Sequence, residues 1–324
     1  MKKLLSVILA AMLILSMAAV SCAEESACCA DESACTLYYP SYMQETEGES
    51  LVLDRMPERI VCLSNAALQI LVRCDIHPIA VTSLVANAEH PDWVYELPTI
   101  TTGMNGMDIE SIVAMEPDLL IVGNYQKEAY GEQLEAAGIP VYYTSEGPSI
   151  AYSQTREEAI TLARSFGGDE MAKEITAEFE KVEARAQSYT SAHPVRSMLI
   201  FFYTPGSFLQ TSEGYLGSIL KQLPFENLAD TVFDPSMRNV KTDTETIVKL
   251  NPEIIFAISP AADAEAVREQ DEAAFAENPD LWNTMDAIAQ GNIVYLGKDY
   301  VSSKGLQVID SVNNLIDQLE AMDK

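Results

Sequence analysis

The stretch from Met107 to Ile121 reads M-D-I-E-S-I-V-A-M-E-P-D-L-L-I, and the stretch from Thr242 to Phe256 reads T-D-T-E-T-I-V-K-L-N-P-E-I-I-F. One pattern is written twice. Asp108 matches Asp243, Glu110 matches Glu245, Ile112-Val113 matches Ile247-Val248, and Pro117-Asp118 matches Pro252-Glu253, every pair at the same offset. That offset is far longer than a solenoid repeat, which spans roughly 20–50 residues, so it marks two duplicated lobes. Paired lobes meet across a cleft, and clefts between domains are where small ligands bind.

Outward from the first copy, strands alternate with helices. Arg59-Ile60-Val61-Cys62-Leu63 reads as a strand, Ser64-Asn65 as the cap of a helix over 66–72, and Ile79-Ala80-Val81 as a strand after the break at His77-Pro78. The same rhythm predicts a helix over 109–115, a strand over 118–122, a helix over 130–137 and a strand over 140–143. Each strand is a continuous apolar run, which predicts a parallel sheet covered on both faces. In the second lobe strands are predicted over 197–203, 254–258 and 293–296, with a last helix from 306 to about 321.

Between the copies Ala172, Ile175, Phe179, Val182, Ala186 and Tyr189 recur at helical spacing, while Glu174, Glu178, Lys181 and Glu183 take the opposite face. At about 1.5 Å per residue such a helix spans about 30 Å, the width of a small domain. The expected architecture is α/β: two lobes with mostly parallel sheets flanked by helices, joined by one long interdomain helix. The expected boundaries are 51–165 for the first lobe, 166–192 for the linking helix and 193–324 for the second lobe.

Ahead of the lobes, Lys2 and Lys3 precede an apolar run from Leu4 through Val20, which reads as an export signal over residues 1–21. Glu24 and Glu25 follow with no basic stop-transfer flank, which argues against a retained membrane helix. Ala19-Val20-Ser21-Cys22 resembles the lipobox of bacterial lipoproteins, with Ala at a position usually held by Leu or Val. Cys22 is therefore the expected lipid anchor to the cell membrane, with ordinary cleavage after Ala23 to a soluble exported protein as the alternative. Residues 22–50 read as a flexible tether, because A-C-C-A-D-E-S-A-C-T is too poor in apolar residues to fold alone. Within it a bridge from Cys28 or Cys29 to Cys35 suits an oxidising compartment, whereas a metal site lacks a paired C-x-x-C and a nearby His. Cys62 and Cys74 read as buried free thiols. A net charge of −29 excludes nucleic acid as a partner class, since that affinity comes from Lys and Arg neutralising phosphates.

No G-x-S-x-G, G-x-x-x-x-G-K-S/T, H-E-x-x-H or G-x-G-x-x-G occurs, so no catalytic residue is assigned and neither an enzyme nor a resident cofactor is expected. With His77, His90 and His193 as the only histidines, the chain is poorly supplied for capturing a naked transition-metal ion. Ligand-binding residues should lie beyond the carboxyl ends of strands. That rule nominates Ser64, Asn65, Thr82, Ser83, Met104, Asn105, Asn124 and Tyr125, then Ser145 and Glu146, in the first lobe, and Tyr203, Phe208, Arg238 and Tyr300 in the second. Tyr and Phe bring flat apolar area, and Arg238 suits paired hydrogen bonds to a carboxylate. Met104 and Met107 are possible haem ligands by residue type, though packing is the favoured role for both.

P-E-R-I-V-C-L-S-N-A-A-L-Q-I-L from Pro57, G-M-D-I-E-S-I-V-A-M-E-P-D-L-L-I from Gly106, G-I-P-V from Gly138, the segment from Thr242 to Ile258 and W-N-T-M-D-A-I from Trp282 together resemble the substrate-binding proteins of iron-siderophore, haem and cobalamin ABC importers. The resemblance implies two α/β lobes on a single long helix. It further implies an acidic residue on each lobe that docks onto arginines of the permease, at Glu110 and Glu245. A Glu in a first helical turn also complements the helix dipole. The expected function is capture of an iron(III)-siderophore, with haem or cobalamin as alternative cargo, by a monomer that delivers it to an ABC permease. A chelatase-like enzyme and a surface adhesin or sensor are the readings of other classes.

Overall fold

A computed structural model describes residues 34–84, 89–102, 106–145, 150–202, 208–259, 262–302 and 305–323. Two short strands come first. β1 (Cys35–Tyr38) and β2 (Ser50–Leu53) pair antiparallel, Cys35 opposite Leu53 and Tyr38 opposite Ser50, in a ribbon that joins neither lobe's sheet. The stretch 35–50, read from sequence as part of a tether, is thus folded. The burial it lacks alone is supplied by its neighbours: Leu37 is fully buried, and the Tyr39 ring stacks on Tyr142 with centroids 4.7 Å apart and planes 5° from parallel. The Tyr142 hydroxyl donates to the Tyr38 carbonyl at 2.6 Å. Cys62 is buried with its Sγ donating to the Ser64 carbonyl at 3.3 Å, whereas Cys74, expected to be buried, is half-exposed beside Gly167; neither it nor Cys35 is in a disulfide among the described residues. Cys22, Cys28 and Cys29 lie outside the described residues.

In the first lobe β3 (Ile60–Cys62), β4 (Ala80–Val81), β5 (Leu119–Gly123) and β6 (Val141–Thr144) form an all-parallel sheet in the order β4-β3-β5-β6. Alternate residues feed two different cores. Ile60, Cys62, Leu119 and Ile121 enter one, Val61, Leu63, Leu120 and Val122 the other. That two-sided burial is why these strands read as unbroken apolar runs. Their covering helices are α1 (Asn65–Arg73), α2 (Ile109–Ala114) and α3 (Lys127–Ala136).

The linking element, α4 (Tyr152–Ala192), is 41 residues long and starts well before the expected 166. Gly168, at φ 72° and ψ −172°, divides it into two helical segments. A φ in that region favours glycine, and its neighbour Gly167 is needed for space, since a Cβ there would lie 2.8 Å from Cys74 Sγ. The stripe from Ala172 to Tyr189 is buried, as its spacing predicts.

The second sheet runs β10 (Asn239–Lys241), β8 (Phe208–Gln210), β7 (Arg196–Phe202), β11 (Ile254–Ile258), β12 (Ile293–Leu296), with β9 (Phe225–Asn227) pairing β7. β7, β11 and β12 are parallel, and β8 and β10 add an antiparallel edge. At three residues each, β8, β9 and β10 are too short for a period to show in sequence. The helices here include α5 (Tyr215–Leu220), α6 (Thr244–Leu250), α7 (Ala264–Glu277) and the closing α8 (Gln307–Met322). No helix of the described residues is long and apolar enough to cross a membrane.

The repeat is a structural unit placed identically in both lobes. Asp108 caps α2 by accepting from the Ser111 N–H at 3.0 Å, and Asp243 caps α6 by accepting from the Thr246 N–H at 2.7 Å. Each helix leads to a residue of positive φ, Glu116 at 47° and Asn251 at 43°. The strand that follows is central in both cases, β5 between β3 and β6, β11 between β7 and β12.

The lobes also touch directly. The Gln307 N–H donates to Gln69 Oε1 at 3.2 Å, and Gly305, φ 60°, approaches so closely that a Cβ would sit 2.9 Å from the Ala66 Cα. Leu68 of the first lobe, Phe179 of α4 and Leu315 of α8 share one apolar core.

Candidate ligand-binding cleft

β5 and β6 end at Gly123 and Thr144, and the residues just beyond them, Asn124 and Ser145, line a cavity of ≈ 490 Å³. This is where a parallel α/β sheet opens its crevice. Lys127 and Tyr143 complete the first lobe's share, and Ile150 and Gln154 contribute from the start of α4. The ribbon's loop supplies Tyr39, Tyr42, Met43, Glu45 and Glu49. From the second lobe comes Arg238.

Hydrogen bonds hold the aromatic wall in place. The Tyr42 hydroxyl is bonded to Ser145 Oγ and donates to the Gln154 carbonyl at 3.3 Å. The Ser145 N–H donates to Glu158 Oε1 at 2.6 Å, and its hydroxyl lies 3.1 Å from Met43 Sδ. Burial, reinforced by the Glu158 carboxylate, pushes the Tyr42 phenol far above its ordinary pKa. Burial raises Tyr39 and Tyr143 as well. These phenols stay protonated and offer neutral rings and O–H groups.

The charged groups fall into two sets. Lys127 Nζ lies 3.9 Å from Glu45 Oε1 and 5.6 Å from the Tyr143 ring centroid. Arg238 has no ion-pair partner among the described residues. Its backbone is held at φ 61°, ψ −60°, a conformation costing roughly 1–3 kcal/mol for a residue with a Cβ. Two hydrogen bonds pin it there: its N–H donates to the Pro235 carbonyl at 3.1 Å, and its carbonyl accepts from the Thr211 N–H at 2.8 Å.

Of the residues nominated from sequence, Asn124, Ser145 and Arg238 meet in this cavity. Ser64 does not, being fully buried with its Oγ accepting from the Ala67 N–H as the cap of α1. Asn65 donates to the Ser83 carbonyl, which ties the segments after β3 and β4 together, and Thr82 is hydrogen-bonded to Thr102; none of the four lines the cavity. Tyr125 is 47% exposed and lies outside the lining. Phe208 packs against the main core, as Met107 does in its own. Tyr300 is 7% exposed and lines a different cavity, of ≈ 700 Å³, with Lys298 and Asp317. Met104, Asn105, Glu146 and Tyr203 lie outside the described residues. Sequence reasoning missed the ribbon residues, although Y-Y-P-S-Y-M between T-L-Y-Y and S-L-V-L carried the signal of an aromatic turn between short strands.

Glu110 and Glu245 occupy the first turns of α2 and α6, at equivalent points of the duplicated unit. Both are exposed, and neither forms an ion pair among the described residues.

Residues 60–300 match the family described as periplasmic binding protein. The chain belongs to that family. Relatives of this binding protein include a vitamin B12-binding protein of Vibrio campbellii, 23% identical over 82% of this chain and 90% of the relative. A probable siderophore-binding lipoprotein of Bacillus subtilis, YfiY, is 22% identical over 82% of each chain. Among solved structures, Staphylococcus aureus IsdE complexed with haem is similar at a TM-score of 0.62 and 18% identity, over 80% of this chain and 97% of that one. This binding protein therefore shares its α/β fold with that structure, and its ribbon lies ahead of the family match.

Proposed function

We propose that this binding protein captures an iron(III)-siderophore or related chelate between its lobes and delivers it to an ABC permease, outside the cytoplasm and anchored through a lipid on Cys22. One observation carries the reading: Arg238 of the second lobe, which has no ion-pair partner among the described residues, shares a cavity of ≈ 490 Å³ with Tyr39, Tyr42, Met43 and Tyr143 on the other side. Pockets for small ligands combine apolar and aromatic walls with a few placed polar groups in this size range. Phenols held protonated by burial favour a metal that arrives already chelated, since a phenolate ligand would first have to lose its proton. Relatives named for siderophore and vitamin B12 binding support a chelate as cargo. Glu110 and Glu245, one on each lobe, are the proposed docking pair for the permease, and a relative named as a lipoprotein supports the anchor.

The test is a thermal-shift screen of the mature protein against ferric hydroxamates, ferric catecholates, haemin and cyanocobalamin. A ligand at about 100 times its dissociation constant adds about 2.7 kcal/mol of stability. Stabilisation by a ferric siderophore supports the proposal. A response to haemin or cyanocobalamin alone reassigns the cargo, and no response to any of them refutes it.

A further inference from the structure

The ribbon is not covered by the family match, which begins at residue 60, yet five of the twelve residues lining the cleft cavity belong to it, so the lobes alone do not define what fits. We propose that the ribbon loop is the specificity-determining wall of the cleft, and that Glu45 and Glu49 on it select a neutral or cationic chelate over a polyanionic one. The inference rests on the cleft being the cargo site.

The wall is preformed. The Tyr38 N–H donates to Ser165 Oγ at 2.9 Å and the Ser41 N–H to Glu157 Oε1 at 2.5 Å, which fastens the ribbon to α4. Tyr42 bonded to Ser145 and Tyr39 stacked on Tyr142 fix the two rings. The Tyr42 hydroxyl is already bonded, so its ring and the Met43 thioether are what cargo meets: a flat, soft, apolar surface.

Charge supplies the selectivity. Glu45 is compensated by Lys127, an exposed and weak pairing. Glu49 accepts from the Glu45 N–H at 2.7 Å, which aims the half-buried carboxylate without neutralising it. Among the described lining residues Arg238 is the cation without an ion-pair partner, and so the one left to meet an anionic atom of the cargo. A tris-catecholate iron complex carries three negative charges, and a described lining of two cations, Lys127 and Arg238, offset by two carboxylates, Glu45 and Glu49, does not compensate them. The protein as a whole, at a net charge of −29, also repels such a ligand on approach. A tris-hydroxamate complex is neutral, or cationic where it bears an ammonium arm, and that arm finds a partner at Glu49.

The experiment titrates ferrioxamine B, a hydroxamate complex with one ammonium group, and ferric enterobactin, a catecholate trianion, into wild type and into Glu45→Gln/Glu49→Gln, Met43→Ala and Arg238→Ala by calorimetry. Glu49→Gln keeps an acceptor for the Glu45 N–H, so the loop retains its shape. Ferrioxamine B should bind the wild type more tightly, and the double Gln variant should shift the preference toward ferric enterobactin by about fivefold for each charge removed. Met43→Ala should weaken both. If the wild type prefers ferric enterobactin, or the ratio is the same in the double variant, the ribbon assignment is overturned while cargo capture in the cleft stands, with Arg238→Ala still weakening binding. If neither chelate, nor haemin or cyanocobalamin, binds the wild type, the cleft reading fails and this inference with it.

Discussion

Asp118 and Glu253 perform the same task in the two lobes. Asp118 accepts from the Glu58 N–H at 2.9 Å and the Arg59 N–H at 2.8 Å, which secures the start of β3 against β5. Glu253 accepts from the Ser197 N–H at 2.7 Å and the Ser197 hydroxyl at 3.0 Å, which secures the start of β7 against β11. The repeated Pro-acid pair is thus a tie between the two innermost strands of each sheet. Hydrogen bonds to charged groups contribute about 1.5–3 kcal/mol. Asp118→Ala and Glu253→Ala should each lower unfolding stability by about that amount in urea melts, and their effects should add because the two sites share no partner.

Glu110 and Glu245 make no such side-chain bond among the described residues. Replacing both by Ala should cost no more than about 1 kcal/mol each, the worth of a carboxylate near a helix N-terminus. Cargo affinity should be unchanged and uptake by cells should be lost. Normal uptake by the double variant would dismiss the docking pair.

Arg238 combines a strained backbone with a guanidinium in the cleft. Arg238→Gly removes the charge and the strain together, so its melting temperature should rise while its affinity for cargo falls at least about tenfold, the effect of one charged hydrogen bond. Arg238→Ala should lose the same affinity without the gain in stability. Equal melting temperatures for the two variants would show that the positive φ carries no cost.

Asp271 on α7 is 1% exposed, and its Oδ1 has no hydrogen-bond partner among the described residues. Burial raises its pKa from 3.8 to about 7. The folded state therefore holds this proton more tightly than the unfolded chain does. Its contribution to stability is fullest below pH 3.8 and is lost as pH rises toward 7, a loss on the order of 4 kcal/mol. Asp271→Asn should flatten that slope and be more stable than wild type at pH 8. Parallel urea midpoints for both proteins from pH 4 to pH 8 would contradict it.

What was legible in the sequence was what repeats or has a period. The duplicated unit, the apolar strands and the stripe from Ala172 to Tyr189 all announce themselves, because burial on two faces or one stripe constrains every position. Asn124 and Ser145 lie just beyond the ends of β5 and β6, as the rule expects, whereas Arg238 lines the cavity from just before the start of β10. Ser64 satisfied the same rule yet serves as a helix cap, because a hydroxyl at a strand-to-helix turn fits both roles and only coordinates separate them. The ribbon's short strands and aromatic turn left a signal in the sequence, but its place in the fold did not, because its stability comes from Tyr142 and α4, more than a hundred residues away in sequence. The break at Gly168 was hidden because the apolar stripe resumes with the right spacing on its far side.

Because the ribbon's strands join neither lobe's sheet among the described residues, it is an accessory that can be exchanged like a cassette. Altering the dozen or so positions of its turn retunes molecular preference while the duplicated scaffold, its inner ties and its outward acidic pair remain as they are. In such an appendage, what the cleft prefers and how the lobes are built can change independently of each other.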